Sequence, residues 1–216
     1  MGVVVVLATP EVIVDFVFGH VVEAPDAELE KHVARWFRAT QAFDCEIAEK
    51  FGATIESALA GELDHIIATP HGRLALILLL DQFTRNAFRN TPRAFSGDSS
   101  ALVLCREGLA LGVDKDLAAV HRHFFYLPLL HAEDRAAQLL SVQCFEQLVL
   151  DAPPHQQALF SACADAARRY RDVIFHFGRF PHRNAVLRRA ATEEERKLMC
   201  KQTEAMPRYA NFTSSA

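Results

Sequence analysis

Three short stretches of this sequence are far more polar than their apolar surroundings. Residues 81–93 read DQFTRNAFRNTPR, residues 121–134 read HRHFFYLPLLHAED, and residues 177–184 read FGRFPHRN. Arg85, Arg89, Arg179 and Arg183 are candidates to clamp a phosphate or carboxylate, because the guanidinium fork matches an oxyanion in charge and in geometry. Asn86, Tyr126 and Asn184 would add neutral hydrogen-bonding groups. His131 and His182 change charge near neutral pH, which suits acid or base duty, with Asp81 or Glu133 as the orienting carboxylate. Asp81 and Arg85 are spaced i,i+4, so on a helix they share a face. Gln82, Asn86 and Arg89 are expected on the neighbouring face. The same residues also fit a buried ion-pair network that locks helices together, since buried charge is tolerated only when paired.

Three functional readings follow. The first is a binding module for a peptide or small anionic ligand. The second is an enzyme acting on a small anionic substrate through a histidine and a carboxylate. The third makes the polar cluster purely structural. They differ in exposure: a site needs arginine tips open to a ligand, whereas internal cement needs every guanidinium satisfied by protein partners.

Other chemistries find little support. His131-Ala132-Glu133 matches half of a zinc deaminase signature, but the P-C-x-x-C half is missing. His121 and His123 are two apart and point away from each other on a helix, so they do not share a metal. No H-E-x-x-H, Walker loop, dinucleotide fingerprint or nucleophile elbow occurs. Neither a metal nor a cofactor is expected. The five cysteines, Cys45, Cys105, Cys144, Cys163 and Cys200, are widely spaced with no C-x-x-C, and read as small buried hydrophobes in a reducing cytosol.

A net charge of −4 across 216 residues excludes a bulk nucleic-acid footprint. The basic residues between Arg168 and Arg208 are interrupted by Glu193, Glu194, Glu195 and Glu204 and read as a solvated face. The most apolar run, LALILLL at 74–80, falls far short of the roughly 18 residues that span a bilayer. The opening MGVVVVLATPE lacks a basic leader. The expected protein is cytoplasmic, with no membrane or nucleic-acid partner. No self-complementary heptad argues for an oligomer, and its oligomeric state is left open.

These side chains have to be positioned by helices. Thr9-Pro10 and Gly19 bracket a first helix whose β-branched EVIVDFVF also has strand character. Leu29, Val33, Trp36 and Phe37 recur at helical spacing, as do Phe43, Ile47 and Phe51 after Thr40. The turn Thr69–Gly72 precedes an all-apolar helix from Leu74 to Phe83, hence a central one. Further helices are expected from Ala101 to Leu111, from Leu117 to Tyr126 and from Glu133 to Leu150, with Leu139, Leu140, Val142, Phe145 and Leu148 inward. Another runs from Pro153-Pro154 to Phe177, ended by Gly178. Thr192 and Glu195 form a capping box for a last helix. The sum is a single all-α domain over 1–216, with about nine or ten helices and a frayed tail from about 207.

The segments VIVDFVFG (12–19), LALILLLDQFTRNAFRNTPRAF (74–95), FFYLPLLHAED (124–134) and FGRFPHRNAVL (177–187) resemble the family called domain of unknown function 924. The resemblance covers almost the whole chain. It implies stacked antiparallel helical hairpins similar to tetratricopeptide repeats, and it implies no established activity. The chain departs from the family's usual Trp at Val17, Pro at Thr84, Ser at Ala132 and Gly-Arg at Arg188-Arg189. These changes touch the rim of the polar cluster and leave Asp81, Arg85, Asn86, Arg89, His131 and Glu133 in place.

Overall fold

The structure, a computed structural model, describes residues 6–19 and 40–205, with side chains as far as 199. The expected helix carrying Leu29, Val33, Trp36 and Phe37, and the tail from 207, lie outside the described residues. Within them stand eight α-helices joined by short 3-10 turns, with no strand. The all-α expectation holds, at a slightly lower helix count than nine or ten.

Helix α1 (Pro10–Phe18) resolves the ambiguity of its β-branched sequence through its ends. The Thr9 hydroxyl accepts from Val12 N–H, Pro10 takes the first helical position, and Gly19 closes it at φ 52°. Thr40 caps α2 (Gln41–Leu59) in the same way. So does Thr69, whose hydroxyl accepts from Gly72 N–H at 3.0 Å. The Thr-Pro pair at 69–70 is therefore a helix start rather than a free turn, and α3 (Pro70–Ile77) begins four residues before the expected Leu74.

From α3 the chain runs unbroken through a π-helical stretch (Leu78–Phe83) into a final α turn (Thr84–Ala87). Leu74 to Leu80 are all buried, which makes this the central element. The π stretch sends the Thr84 N–H to Leu79 O rather than Leu80 O. Leu80 O is taken instead by the Thr84 hydroxyl at 2.8 Å. The wider turn carries Asp81, and such turns recur at functional positions.

After the central element come α4 (Asp98–Ala110), α5 (Ala119–His131), α6 (Arg135–Asp151), α7 (Gln157–Phe177) and α8 (Glu193–Ala205). The sequence placed the end of α5 before Pro128, yet the helix passes through that proline to His131. A mid-helix proline costs about 3 kcal/mol. Eleven of the helix's thirteen residues are buried, and their burial outweighs that cost. Leu139 corrects another expectation: it is exposed on α6, while Val142, Phe145 and Leu148 point inward. Cys105 is buried as expected, but Cys45 is exposed on α2. Burial raises the thiols of Cys144 and Cys163 to about 12, which leaves them unreactive.

Two backbone positions bear directly on the site. Gly97 lies against the central element so closely that a Cβ would sit 2.3 Å from Leu80 O. That approach brings Asp98, the first residue of α4, beside Arg85. Gly97→Ala is expected to cost about 3 kcal/mol, read by urea denaturation, because the obstacle is backbone rather than a flexible tip. A loss below about 1 kcal/mol would mean that α4 slides away at little cost. Arg188, exposed, holds φ 54°, in the left-handed region. Glycine adopts that geometry without strain. Arg188→Gly is expected to raise stability by about 0.5–1 kcal/mol, measured as a higher Tm.

Candidate functional site

The central element and α5 are both deeply buried, and a histidine–carboxylate pair joins them. His131, the last residue of α5, places Nδ1 2.8 Å from Asp81 Oδ1 and 2.9 Å from Oδ2. Both side chains are buried, Asp81 completely. Gln82 Nε2 also donates to Asp81. Arg85 sits 3.2 Å from Asp81 Oδ1 and donates to the Asp81 carbonyl at 2.6 Å. The i,i+4 pair read from the sequence therefore forms.

Asp98 continues the chain of charges. Arg85 donates to both of its oxygens, at 2.8 and 3.0 Å. Arg183 reaches the same carboxylate at 3.5 Å, a long contact. The Arg183 guanidinium lies between the rings of Phe95 and Phe180, 4.8 and 4.7 Å from their centroids. Its side chain is 5% exposed, and its Nε and Nη2 have no hydrogen-bond partner. Nε of Arg85 and Nε2 of His182 are also buried without one. Buried polar atoms of this kind each forgo hydration worth about 1–3 kcal/mol.

The electrostatics follow from burial. For Asp81, burial opposes ionisation, but Arg85 and His131 overcome it and hold the carboxyl well below its usual range. Burial lowers His131 in turn; Asp81 resists that, and Arg85 and Arg183 reinforce it, so the ring is neutral at pH 7. Burial beside Arg183 pushes His182 down to about 3. Burial, together with Arg85, lowers Arg183 itself to about 10. Arg183 is thus a cation that its surroundings only partly support.

The remaining predicted site residues do not join this cluster. Asn86 and Arg89 turn the other way, onto Asp44 of α2: Asn86 Nδ2 donates at 2.8 Å, and the Arg89 fork grips both oxygens at 2.6 and 2.8 Å. Arg89 lies beyond the end of the helix, so it does not share a helical face with Gln82. The Tyr126 hydroxyl donates to Asp114 at 2.6 Å and accepts from Arg122 at 2.9 Å, a separate buried group.

Arg179 is bound by the Glu195 carboxylate at 2.7 and 2.9 Å, and Asn184 donates to that same group. Glu195 earns its place through the expected capping box, with Thr192 N–H at 2.7 Å and Glu195 N–H to the Thr192 hydroxyl at 3.2 Å. Glu133 does not orient a histidine. It is held by Arg189 at 2.6 and 2.9 Å and accepts from Phe180 N–H at 2.8 Å. These groups satisfy one another and act as internal cement. Among the described residues, no group of three or more His, Cys, Asp or Glu side chains is placed to hold a metal ion.

The sequence reading missed three contributors. Asp98, not among the candidates, is the carboxylate that Arg85 and Arg183 share. Phe95 and Phe180, also not among the candidates, flank the Arg183 cation. Only the partnering of α4 with the central element, and of the 180–184 turn with both, reveals these roles.

A model of the family described as "Bacterial protein of unknown function (DUF924)" matches residues 13–203. The chain belongs to the DUF924 family. A solved structure of a protein of unknown function from Agrobacterium tumefaciens is similar to it: 34% identical, TM-score 0.72, covering 89% of this chain and 97% of that one. No curated protein matches. DUF924 membership accounts for the shared helical fold and leaves the chemistry to be read from the site. Among the described residues, no helix of this DUF924 protein is long and apolar enough to cross a membrane.

Proposed function

We propose that this DUF924 protein is a helical binding module for a small oxyanion, held by Arg183 and Arg85. The observation that carries this reading is Arg183: a buried guanidinium, stacked between two aromatic rings, with Nε and Nη2 unmet and one 3.5 Å contact to a carboxylate already gripped by Arg85. A phosphate, sulfate or carboxylate oxygen supplies what those donors lack. The 5% exposure of the Arg183 side chain favours a small ligand over a peptide laid along the surface.

The pairing of His131 with Asp81 supports a second reading, an enzyme on the same anionic substrate. An Nδ1–H held by Asp81 fixes the tautomer and leaves Nε2 as the basic nitrogen, neutral at pH 7.

The test is a thermal-shift screen of anions (sulfate, phosphate, formate and small carboxylic acids) against the wild type and Arg183→Met. An anion at 100 times its Kd adds about 2.7 kcal/mol, an upward Tm shift of about 5–10 °C for a chain this size. The expected result is stabilisation of the wild type alone. Equal shifts in both proteins, or none with any anion, would sink the reading.

A further inference from the structure

The make-up of the buried cluster narrows what its oxyanion can be. Arg85 and Arg183 face Asp81 and Asp98, two cations against two carboxylates, so the set is already balanced. A simple anion seated on Arg183 leaves it one negative charge in excess, and uncompensated charge away from water is unfavourable. A ligand that carries a positive charge beside its oxyanion avoids that penalty. Asp98 fixes where such a charge would sit.

Asp98 and the unmet donors belong to one guanidinium. Nη1 of Arg183 makes the long 3.5 Å contact to Asp98 Oδ2, while Nη2, bonded to the same carbon, and Nε have no partner. An oxyanion on Nη2 therefore sits one guanidinium width from the Asp98 carboxylate. The Phe95 ring lies 5.5 Å from the Arg85 guanidinium and 4.8 Å from that of Arg183, so the two forks and Asp98 form one compact group.

Asp98 has acceptor capacity left. A carboxylate offers about four acceptor positions. Arg85 uses one on each oxygen, and Arg183 takes a weak second on Oδ2. The second position on Oδ1 is open. Asp98 is also the member of this group in best contact with water: its side chain is 23% exposed, against 10% for Arg85, 5% for Arg183 and none for Asp81. A ligand approaching Arg183 from solvent meets Asp98 on the way.

We infer that the ligand of the Arg85–Arg183 site is a small α-amino acid in its zwitterionic form, with its carboxylate on Nη2 and Nε of Arg183 and its ammonium group on Asp98. This rests on the oxyanion-binding reading above and specifies the class of ligand. An α-amino acid holds its two charges on adjacent carbons' substituents, the separation that a donor and an acceptor one guanidinium apart require. Binding adds no net charge to the interior, and no bond is made or broken.

The experiment is calorimetric titration of the full chain at pH 7 with glycine, glycolate and acetate, which carry an ammonium, a hydroxyl and a hydrogen on the same carbon. Glycine is expected to bind about 10–100-fold more tightly than acetate, the ratio of one charge-assisted hydrogen bond, with glycolate between them. Asp98→Asn, which removes the charge and keeps the shape, is expected to lose that preference. Circular dichroism checks that this variant folds, and the wild-type series decides the ligand class without it. Acetate, glycolate or sulfate binding as tightly as glycine overturns the inference and leaves the oxyanion site standing. A glycine preference that persists in Asp98→Asn overturns the role of Asp98. Undiminished binding to Arg183→Met, or no binding of any of these four to the wild type, overturns the site and the inference together.

Discussion

Arg85→Met is expected to lower stability by about 3–5 kcal/mol. Arg85 is the guanidinium partner of two carboxylates, Asp81 at 3.2 Å and Asp98 through both arms of its fork. Methionine fills the space of the stem but leaves Asp81, wholly buried, without its cation, and Asp98 with only the long Arg183 contact. Arg183→Met makes the informative contrast. Asp98 keeps Arg85, so no carboxylate is stranded, and an under-hydrogen-bonded cation leaves the interior. Its stability is expected within about 1 kcal/mol of wild type, or above it. Urea denaturation of the two variants checks both. A loss of several kcal/mol for Arg183→Met would make Arg183 structural cement and remove the strongest reason for an oxyanion site.

The second large effect is acid lability. His121, His123 and His182 have folded-state pKa values pushed down to about 4, 3 and 3, in each case chiefly by burial. The unfolded chain binds protons at these rings as the pH falls through about 6.5, while the folded chain does not. Their neutral burial is therefore costless above pH 6.5 and destabilises progressively below it, until the folded rings themselves titrate. Each ring contributes about 1.4 kcal/mol per pH unit in that window. Three acting together reach about 10 kcal/mol by pH 4, comparable to the 5–15 kcal/mol typical of a whole protein. Cooperative unfolding is expected with a midpoint above pH 4, followed by circular dichroism. In His121 both ring nitrogens lack a partner, and the ring packs edge-on to Phe18 at 4.4 Å. His121→Phe is expected to shallow the acid slope by about a third and to raise stability at pH 5. An unchanged slope would show that this ring does not drive the transition.

Much of the scaffold is written locally. Thr9-Pro10, Thr40 and Thr192 with Glu195 cap the helices that the sequence assigns to them, because a cap needs only residues three or four apart. The Asp81–Arg85 pair is equally local, one turn apart on a helix whose apolar surroundings already marked it as central. The path of α5 through Pro128 was not legible in that way. Local propensity argues for a stop, and burial contributed by the rest of the fold decides otherwise.

The candidate site divides along the same line. The sequence by itself identified the residue types, oxyanion-matching arginines beside histidines and carboxylates, and the three stretches that carry them. It could not sort them, because a satisfied arginine and an unsatisfied one have the same spacing. Only the tertiary structure sends Arg89 to Asp44 and Arg179 to Glu195, and leaves Arg183 between two phenylalanine rings with donors to spare. Partners dozens of residues apart, such as Asp98 and Arg183, are brought together by helix packing, and a hydrogen bond is either made or missed on the scale of a few tenths of an ångström.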